Sequence, residues 1–394
     1  MPKLNPTILI LAFVMVTNAV GYGIIIPLLY PLAERLQLGT VGLGALMASF
    51  SLAQFLATPI IGRLSDRYGR KPLLMGSLFG TGVSMVLLAL ANNGGMFFAA
   101  RILDGLTGGN NSVAQAAVAD STSPKQRANA FALLGAAYGF GFLIGPSIGG
   151  LLGQYGITIP FWAAAGMAFL GVILGVLFMR ETISEQNKRT VKTESLFHWK
   201  QLWQALHLPT VGGILLISLL VSFAQSGFII GVQSVGYHTL HLTTGQFGLL
   251  LGAIGLVNIV MQVWVVRWLN AHIHQKSRIL TISLLGAALL LTLQFFHISL
   301  VSYIVINLLY VIFLTPINPT TAGIISSHTS SEDQGVTLGL NQAYISLGTI
   351  FGPLVSGLVV SKRPEYTFLS TAAILGLALI QSLRLPRKTP TINV

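Results

Sequence analysis

The chain is a succession of long apolar stretches separated by short segments rich in glycine, proline or charged residues. A helix needs about 20 apolar residues to cross a membrane, whereas spanning strands show apolar residues only at alternate positions. The stretches here are continuously apolar, which predicts a bundle of helices rather than a barrel. Twelve helices are predicted, near 7–30, 41–61, 73–92, 94–117, 129–152, 159–179, 210–234, 245–266, 278–296, 298–322, 335–360 and 366–384.

Composition agrees with an all-α integral membrane protein. Of the 394 residues, 53% are hydrophobic and 8% are charged, against roughly a quarter charged in soluble domains. The spans and short loops use nearly the whole length, so no separate soluble domain is expected. The first apolar run is longer than the core of a signal peptide, and we expect it to remain as a helix. The absence of cysteine excludes disulfides and thiolate chemistry.

The positive charge is unevenly placed. The formal net charge is +12, and 18 of the 22 basic residues fall on one side of the predicted membrane. Basic loops mark the cytoplasmic side, so both termini are predicted to be cytoplasmic in a multi-pass protein of the cell (inner) membrane. This placement accounts for the charge without a nucleic-acid partner.

The chain divides into residues 1–179, a polar linker 180–208 and residues 209–394. Two segments recur about 205 residues apart, which indicates related six-helix halves. Gly62-Arg-Leu-Ser-Asp66 matches Val266-Arg-Trp-Leu-Asn270, and Gly141-x-x-x-Gly145-Pro146-x-x-Gly149-Gly150 matches Gly348-x-x-x-Gly352-Pro353-x-x-Ser356-Gly357. In the linker, helical spacing of Trp199, Leu202, Trp203 and Leu206 predicts an amphipathic helix on the inner membrane face. A solvated linker that touches lipid fits the same pattern.

The segment after the second helix carries the strongest signal. It reads Gly62-Arg-Leu-Ser-Asp66-Arg67-Tyr-Gly69-Arg70-Lys71-Pro72, and it resembles the signature of the major facilitator superfamily. The resemblance covers all twelve helices and implies two pseudo-symmetric six-helix halves. It further implies a conformational latch, in which Asp66 faces the start of the eleventh helix and Arg70 pairs with an acid that Asp120 matches. The expected latch residues are Gly62, Asp66, Arg67, Gly69, Arg70, Lys71 and Asp120. Plain positive-inside topology is the alternative.

Arg101 and Asp104 lie deep inside the predicted fourth span. Charge is costly there, and it usually faces a partner or a wet cavity. Their spacing of i and i+3 allows them to pair, and Asp104 is the one acid of ten predicted in the membrane interior. Arg101 resembles the family's fourth-helix arginine associated with proton coupling. We therefore expect Asp104 and Arg101 to carry proton coupling, with an inert structural pair as the alternative.

The fifth helix favours an exporter. Gly141, Gly145, Pro146, Gly149 and Gly150 form a bare stripe for close helix contact and a proline bend. The pattern resembles that of the drug:proton antiporter branch, and Gly21-Tyr-Gly-Ile-Ile-Ile-Pro27 in the first helix resembles tetracycline and multidrug resistance exporters. Asn18 stands where tetracycline exporters have an acid, which argues against tetracycline as the substrate.

The sequence thus predicts proton-coupled efflux of small lipophilic drugs by a monomer in contact with membrane lipids. The alternatives are a proton symporter or facilitator for a metabolite and a non-transporting membrane sensor. No enzyme activity, metal site or cofactor is expected, since the proton gradient supplies the energy and no Gly-Lys-Ser/Thr phosphate loop occurs. The substrate-binding candidates are Asn18, Tyr22, Asn110, Asn111, Gln115, Phe223, Gln225, Asn307 and Tyr310.

Overall fold

The computed structural model describes residues 6–183, 199–273, 275–330 and 333–385. Within these ranges the chain is helical and has no strand. Two π-helical turns, Val235–Thr239 and Met261–Val265, interrupt the α-helical geometry. The α-helices are α1 (Pro6–Arg35), α2 (Gly39–Tyr68), α3 (Arg70–Leu90), α4 (Gly94–Thr107), α5 (Asn110–Ser121), α6 (Pro124–Gly153), α7 (Ile159–Phe178), α8 (Trp199–Ala205), α9 (Val211–Ser234), α10 (Thr244–Val260), α11 (Val266–His272), α12 (Lys276–Phe296), α13 (Leu300–Leu314), α14 (Ile317–Ser327), α15 (Gln334–Val360) and α16 (Tyr366–Leu383).

The predicted all-helical membrane fold is confirmed. Among the described residues, 11 helical stretches are long and apolar enough to cross a membrane, and one of them, Leu300–Ser327, contains both α13 and α14. The short helices α4 and α5 together occupy the position of the remaining predicted span, so the structure is consistent with twelve spans. The sixth of the 11 stretches begins at Val211, after the short helix α8.

Several helix ends differ from the hydropathy pattern. α2 continues to Tyr68, seven residues beyond the predicted end, because its charged last turns stay helical outside the apolar core. The predicted loop at 62–72 is therefore wrong, and Gly69 alone separates α2 from α3. The predicted tenth span is divided into α13 and α14 at Pro316, since proline cannot donate a backbone hydrogen bond within a helix.

The described chain forms two compact units. The first consists of the described parts of Met1–Leu38, Ser49–Leu196 and Leu242–Gly252, and the second of those of Gly39–Ala48, Phe197–His241 and Ala253–Val394. In the first unit α1 packs along α6 and α3 along α7. In the second unit α9 packs along α15 and α12 along α16. The corresponding helices of each predicted half are thus paired in the same way.

Glycine allows α6 to lie close to α1. A Cβ atom added at Gly141 would lie 2.8 Å from the Cβ of Ala19, and one at Gly145 would lie 3.0 Å from the Cα of Gly23. Such distances leave no room for a larger residue, so the stripe on α6 is a helix-packing surface. Pro146 lies inside α6, where it removes one backbone hydrogen bond.

The second unit repeats this packing with one substitution. A Cβ atom added at Gly348 of α15 would lie 2.7 Å from the backbone nitrogen of Phe223 on α9. Ser356 stands where α6 has Gly149, and its hydroxyl donates a 2.6 Å hydrogen bond to the carbonyl oxygen of Gly227. The serine therefore keeps the helices close and satisfies its own polar group within the bundle.

Candidate functional site

A buried ion pair lies on α4, two turns from the start of that helix. Nη1 of Arg101 donates a 2.8 Å hydrogen bond to Oδ2 of Asp104, and the residues are 2% and 6% exposed. Their spacing places both side chains on one face of the helix. Among the ion pairs of the described residues, this is the one that lies within the apolar part of a predicted span. Sequence and structure therefore bring the same two residues together.

Side chains from two neighbouring helices surround this pair. The hydroxyl groups of Thr81 and Ser84 on α3 face the carboxylate of Asp104. The ring of Phe50 on α2 lies under the guanidinium, with 4.1 Å between its centre and Cζ of Arg101. Sequence reasoning missed all three, because hydroxyl and aromatic residues in membrane helices usually pack between helices and carry no distinctive spacing.

Three aromatic rings form a wall beside the ion pair. The ring centre of Tyr22 on α1 lies 5.8 Å from that of Phe50 and 6.2 Å from that of Phe142 on α6. The planes of Tyr22 and Phe142 are nearly parallel, at 23°. Tyr22 was a predicted substrate residue, and it also lies within electrostatic range of Arg101 and Asp104. The wall offers flat apolar surface and one phenol group next to a charge pair.

The helix of the ion pair breaks one turn after Asp104. α4 ends at Thr107 and α5 begins after Gly108 and Gly109. The carbonyl oxygen of Gly108 accepts a 3.2 Å hydrogen bond from Nε2 of Gln54 on α2. A polar side chain of a neighbouring helix thus satisfies a backbone group that the break releases inside the membrane.

The remaining substrate candidates of the first unit lie on α1 and α5. Asn18 is half-buried. Asn111 and Gln115 are exposed, and Nε2 of Gln115 donates a 3.2 Å hydrogen bond to Oδ1 of Asn111. Asn110 begins α5, and its side chain lies outside the described part of the chain. Of these candidates, the structure brings Tyr22 to the ion pair.

The second unit holds a separate buried polar cluster on α13. Asn307 and Tyr310 are 2% and 1% exposed. Nδ2 of Asn307 donates to the carbonyl oxygen of Tyr303 at 2.7 Å, and the ring centre of Tyr310 lies 4.8 Å from that of Phe228 on α9. Within the described residues, Oδ1 of Asn307 and the hydroxyl of Tyr310 have no hydrogen-bond partner. The candidates on α9 are half-buried, namely Phe223 and Gln225.

Arg70 gathers the polar side chains of the signature segment. Its guanidinium contacts Oδ1 of Asp66 at 2.7 Å and donates to Oδ2 of Asp120 at 3.0 Å. A third contact, from Nη1 to Oγ of Ser65, measures 2.6 Å. This arginine is 8% exposed, so its contacts are largely shielded from water. That Asp66 also faces the start of the predicted eleventh span, which is α15 in the structure, remains a prediction.

Glu181, just after α7, binds the backbone of the same segment at the start of α3. Its carboxylate accepts hydrogen bonds from the backbone nitrogens of Arg70 at 2.9 Å and Lys71 at 3.1 Å. It also accepts from the nitrogens of Thr182 at 2.8 Å and Ile183 at 3.2 Å. An acid from another part of the chain thus caps the start of α3. Sequence reasoning missed Glu181, since nothing near it in the chain signals this role.

Arg67 and Lys71, two further cations of the signature segment, make local contacts. The guanidinium of Arg67 lies 5.1 Å from the ring centre of Tyr68. Nζ of Lys71 donates a 2.8 Å hydrogen bond to the carbonyl oxygen of Val176, in the last turn of α7. Lys71 therefore satisfies a carbonyl group at a helix end and joins α3 to α7.

The two signature glycines have different structural roles. Gly69 has φ of +107°, and an added Cβ would lie 2.9 Å from Cδ of Glu181. The connection between α2 and α3 therefore requires glycine on two grounds. Gly62 lies inside α2, and a Cβ there would meet no atom within 4 Å. The described structure gives no steric reason for glycine at this position.

The glycines of α6 face two different helices. Whereas Gly141 and Gly145 face α1, a Cβ added at Gly150 would lie 2.7 Å from the Cα of Gly248 on α10. Oγ of Ser147 donates to the carbonyl oxygen of Gly248 at 3.4 Å. These contacts lie within the first unit, which includes the first turns of α10. The last part of the motif thus packs against a helix from the second half of the sequence.

Over the described ranges, no three histidine, aspartate or glutamate residues form a group that could hold a metal ion.

Curated relatives span nearly the whole chain. Multidrug resistance protein 2 of Bacillus subtilis is 26% identical over 89% of this chain and 87% of its own length. The class H tetracycline resistance protein of Pasteurella multocida is 28% identical over 92% of this chain and 91% of its own. The class C protein of Escherichia coli is 27% identical, with coverage of 96% and 95%.

Solved transporter structures share the fold. The human organic anion transporter MFSD10 superposes with a TM-score of 0.73 at 20% identity, covering 97% of this chain and 100% of that one. The nucleoside transporter NupG gives a TM-score of 0.81 at 12% identity, with coverage of 96% and 99%.

The sequence model of the Major Facilitator Superfamily matches residues 11–317 and 214–393. These matches confirm the resemblance based on the signature segment and identify a multi-pass membrane transporter rather than an enzyme. The chain belongs to the Major Facilitator Superfamily.

Proposed function

We propose that this transporter exports small lipophilic compounds in exchange for protons. The observation that carries the proposal is the buried pair of Arg101 and Asp104, which borders on an aromatic wall within one helix bundle. The relatives named for multidrug and tetracycline resistance support export as the direction of transport. The protein needs no organic cofactor for this activity, because the proton gradient supplies the energy.

Asp104 is the proton-carrying group in this proposal. Its carboxylate takes up a proton from the outer side and releases it to the cytoplasm, while one drug molecule moves outward. Burial opposes the charged carboxylate, whereas the guanidinium of Arg101 and the hydroxyls of Thr81 and Ser84 favour it. A small movement of α4 relative to α3 therefore changes which form is stable. Protonation weakens the ion pair and shifts the preference between inward- and outward-facing packing.

The substrate is a neutral or weakly cationic lipophilic compound. The rings of Tyr22, Phe50 and Phe142 offer stacking surface in the first unit. Asn307 and Tyr310 offer polar groups in the second unit, where both have a hydrogen-bonding atom without a partner among the described residues. Flat aromatic compounds with few polar atoms suit such surfaces. Asn18, Asn110, Asn111, Gln115, Phe223 and Gln225 remain further candidates.

The signature segment is the conformational latch of this proposal. Arg70 holds Asp66 and Asp120 on the first unit, which fixes the carboxylate of Asp66 at the end of α2. In one of the two transport states this carboxylate interacts with the N-terminal, positive end of α15, the predicted eleventh span. The protein works as a monomer in the inner membrane, with this segment and both termini in the cytoplasm.

Transport by reconstituted protein tests the proposal. Liposomes with an imposed pH gradient are mixed with a panel of fluorescent lipophilic cations and neutral dyes, and wild type is compared with Asp104→Asn. Uphill dye movement that needs the gradient and fails in the mutant supports proton-coupled efflux. Dye movement that does not depend on the pH gradient indicates a facilitator. If no dye moves although the protein is folded, the metabolite-carrier and sensor alternatives replace the proposal.

A further inference from the structure

An aromatic ring face covers the buried arginine of the coupling pair. The ring of Phe50 is 7% exposed, and its centre lies 4.1 Å from Cζ of Arg101. Nη1 of this arginine donates to Asp104, whereas Nε has no hydrogen-bond partner among the described residues. The guanidinium is thus held by a carboxylate on its own helix and by a ring on α2. The two contacts are of different kinds, because protonation of Asp104 removes the charge attraction of the first and leaves the second unchanged.

A cation in a dry interior depends strongly on its remaining contacts. An unpaired charge inside a membrane is very unfavourable, and a cation over a ring face gains most when it is shielded from water. When Asp104 takes up a proton, the ion pair is lost and the charge of Arg101 remains. The negative face of the Phe50 ring is then the contact that favours the charged guanidinium.

The position of the ring is fixed by its neighbours. Its centre lies 5.8 Å from that of Tyr22. On the other side, a Cβ added at Gly105 of α4 would lie 2.7 Å from the Cβ of Ala53, one turn after Phe50 on α2. The backbones of α2 and α4 therefore approach closely here, and the ring is held against the helix that carries the ion pair.

We propose that Phe50 is a positioning residue for proton coupling: its ring keeps Arg101 in place when Asp104 is protonated, and so sets the pH at which Asp104 exchanges its proton. This inference rests on the proposed function of Asp104. The titratable groups that face Asp104 are Arg101 on its own helix and Tyr22 on α1, and α3 adds the hydroxyls of Thr81 and Ser84. None of these groups takes the place of the ring, because the ring contacts Arg101 both when Asp104 is ionised and when it is protonated.

The direction of the effect follows from the two states. With Asp104 ionised, the guanidinium is shared between the carboxylate and the ring, and with Asp104 protonated it settles fully on the ring. Removing the ring therefore disfavours the protonated state more than the ionised state. Phe50→Leu should lower the pH of half-protonation by about 0.5 to 1 unit, as expected for loss of a desolvated cation–π contact.

Infrared spectroscopy of the full chain in lipid measures this protonation without any transported compound. The carbonyl stretch of a buried protonated carboxyl group is followed as a function of pH, and Asp104→Asn identifies the band. Phe50→Leu and Phe50→Met, which lack a ring, should move the titration to lower pH. Phe50→Tyr should leave it in place. Phe79→Leu is the matched control, because Phe79 packs on Phe169 with 5.6 Å between ring centres in the same unit.

The outcomes separate this inference from the proposed function. A shift in both ring-free variants, with Phe50→Tyr and Phe79→Leu unchanged, supports the role of the ring. A band that Asp104→Asn removes but no Phe50 variant moves overturns the inference and leaves Asp104 as the coupling group. If wild type shows no band that depends on Asp104 at any pH, the proposed coupling is wrong, and the inference fails with it. Phe50→Met guards against a folding defect of Phe50→Leu.

Discussion

The cap that Glu181 places on α3 predicts a strong coupling between two positions far apart in the sequence. Glu181→Ala removes the acceptor for the backbone nitrogens of Arg70 and Lys71, which are the first donors of the helix. Loss of an N-cap destabilises by about 0.5–2 kcal/mol, and loss of the favourable charge adds about 0.3–1 kcal/mol. Because this site borders on water, which can replace the lost acceptor in part, we expect a total of about 2 kcal/mol.

Gly69→Ala acts on the same cap by a different route. Gly69 has a φ of +107°, and the backbone strain of alanine in this conformation destabilises the protein by about 1–2 kcal/mol. In addition, the new Cβ would lie 2.9 Å from Cδ of Glu181 and displace the carboxylate. The single variant should therefore lose about 3–4 kcal/mol, whereas in the Glu181→Ala background only the strain of about 1–2 kcal/mol remains.

Thermal unfolding followed by tryptophan fluorescence measures the stability of wild type, the two single variants and the double variant. For a unit of this size, 2 kcal/mol corresponds to a shift in Tm of roughly 4–8 °C. Gly62→Ala is the matched control, because it lies in the interior of α2 with no atom near its Cβ position, and alanine there should be neutral or stabilise by about 0.5–1 kcal/mol. If the Glu181 and Gly69 effects add without coupling, the carboxylate is not the cap described here.

Three further predictions follow from other contacts. Gly150→Leu should reduce dye transport about 5- to 150-fold, since overpacking against α10 is unfavourable by about 1–3 kcal/mol. Gly135→Leu, on the same helix with open space around it, should leave transport unchanged. Gln54→Ala should lower the unfolding free energy by about 1–3 kcal/mol, because the carbonyl of Gly108 loses its partner, and an unchanged Tm would contradict this. Ser356→Ala should lower the unfolding free energy by about 1 kcal/mol, because the hydrogen bond to Gly227 is lost. Restoration of the stability by Ser356→Thr would show that the hydroxyl group is responsible.

Much of the fold could be predicted because hydrophobicity along the chain reports directly on the membrane. Continuous apolar stretches predict the spans, and charge inside one of them points to Arg101 and Asp104, which lie 2.8 Å apart in the structure. Spacing along one helix was sufficient in this case. The acid matched to Arg70 by family resemblance, Asp120, likewise lies 3.0 Å from it.

The rest depends on contacts between residues distant in the chain. Glu181 lies 111 positions from Arg70, and neither residue reveals the other by its surroundings. Phe50 is one aromatic residue among many in the spans, and its contact with Arg101 arises from the packing of α2 on α4. The break after α4 was missed because hydropathy does not change there, although Gly108 and Gly109 weaken the helix.

Proton movement driven by a dye gradient tests the central claim most directly. Liposomes that contain the protein and a trapped pH indicator are placed in a solution of a lipophilic dye that the protein transports, with no initial pH gradient. We predict that dye entry drives protons out, so that the interior becomes alkaline, and that Asp104→Asn abolishes this change. An interior that stays at constant pH while dye enters, or that becomes acidic with the dye, would contradict antiport through Asp104.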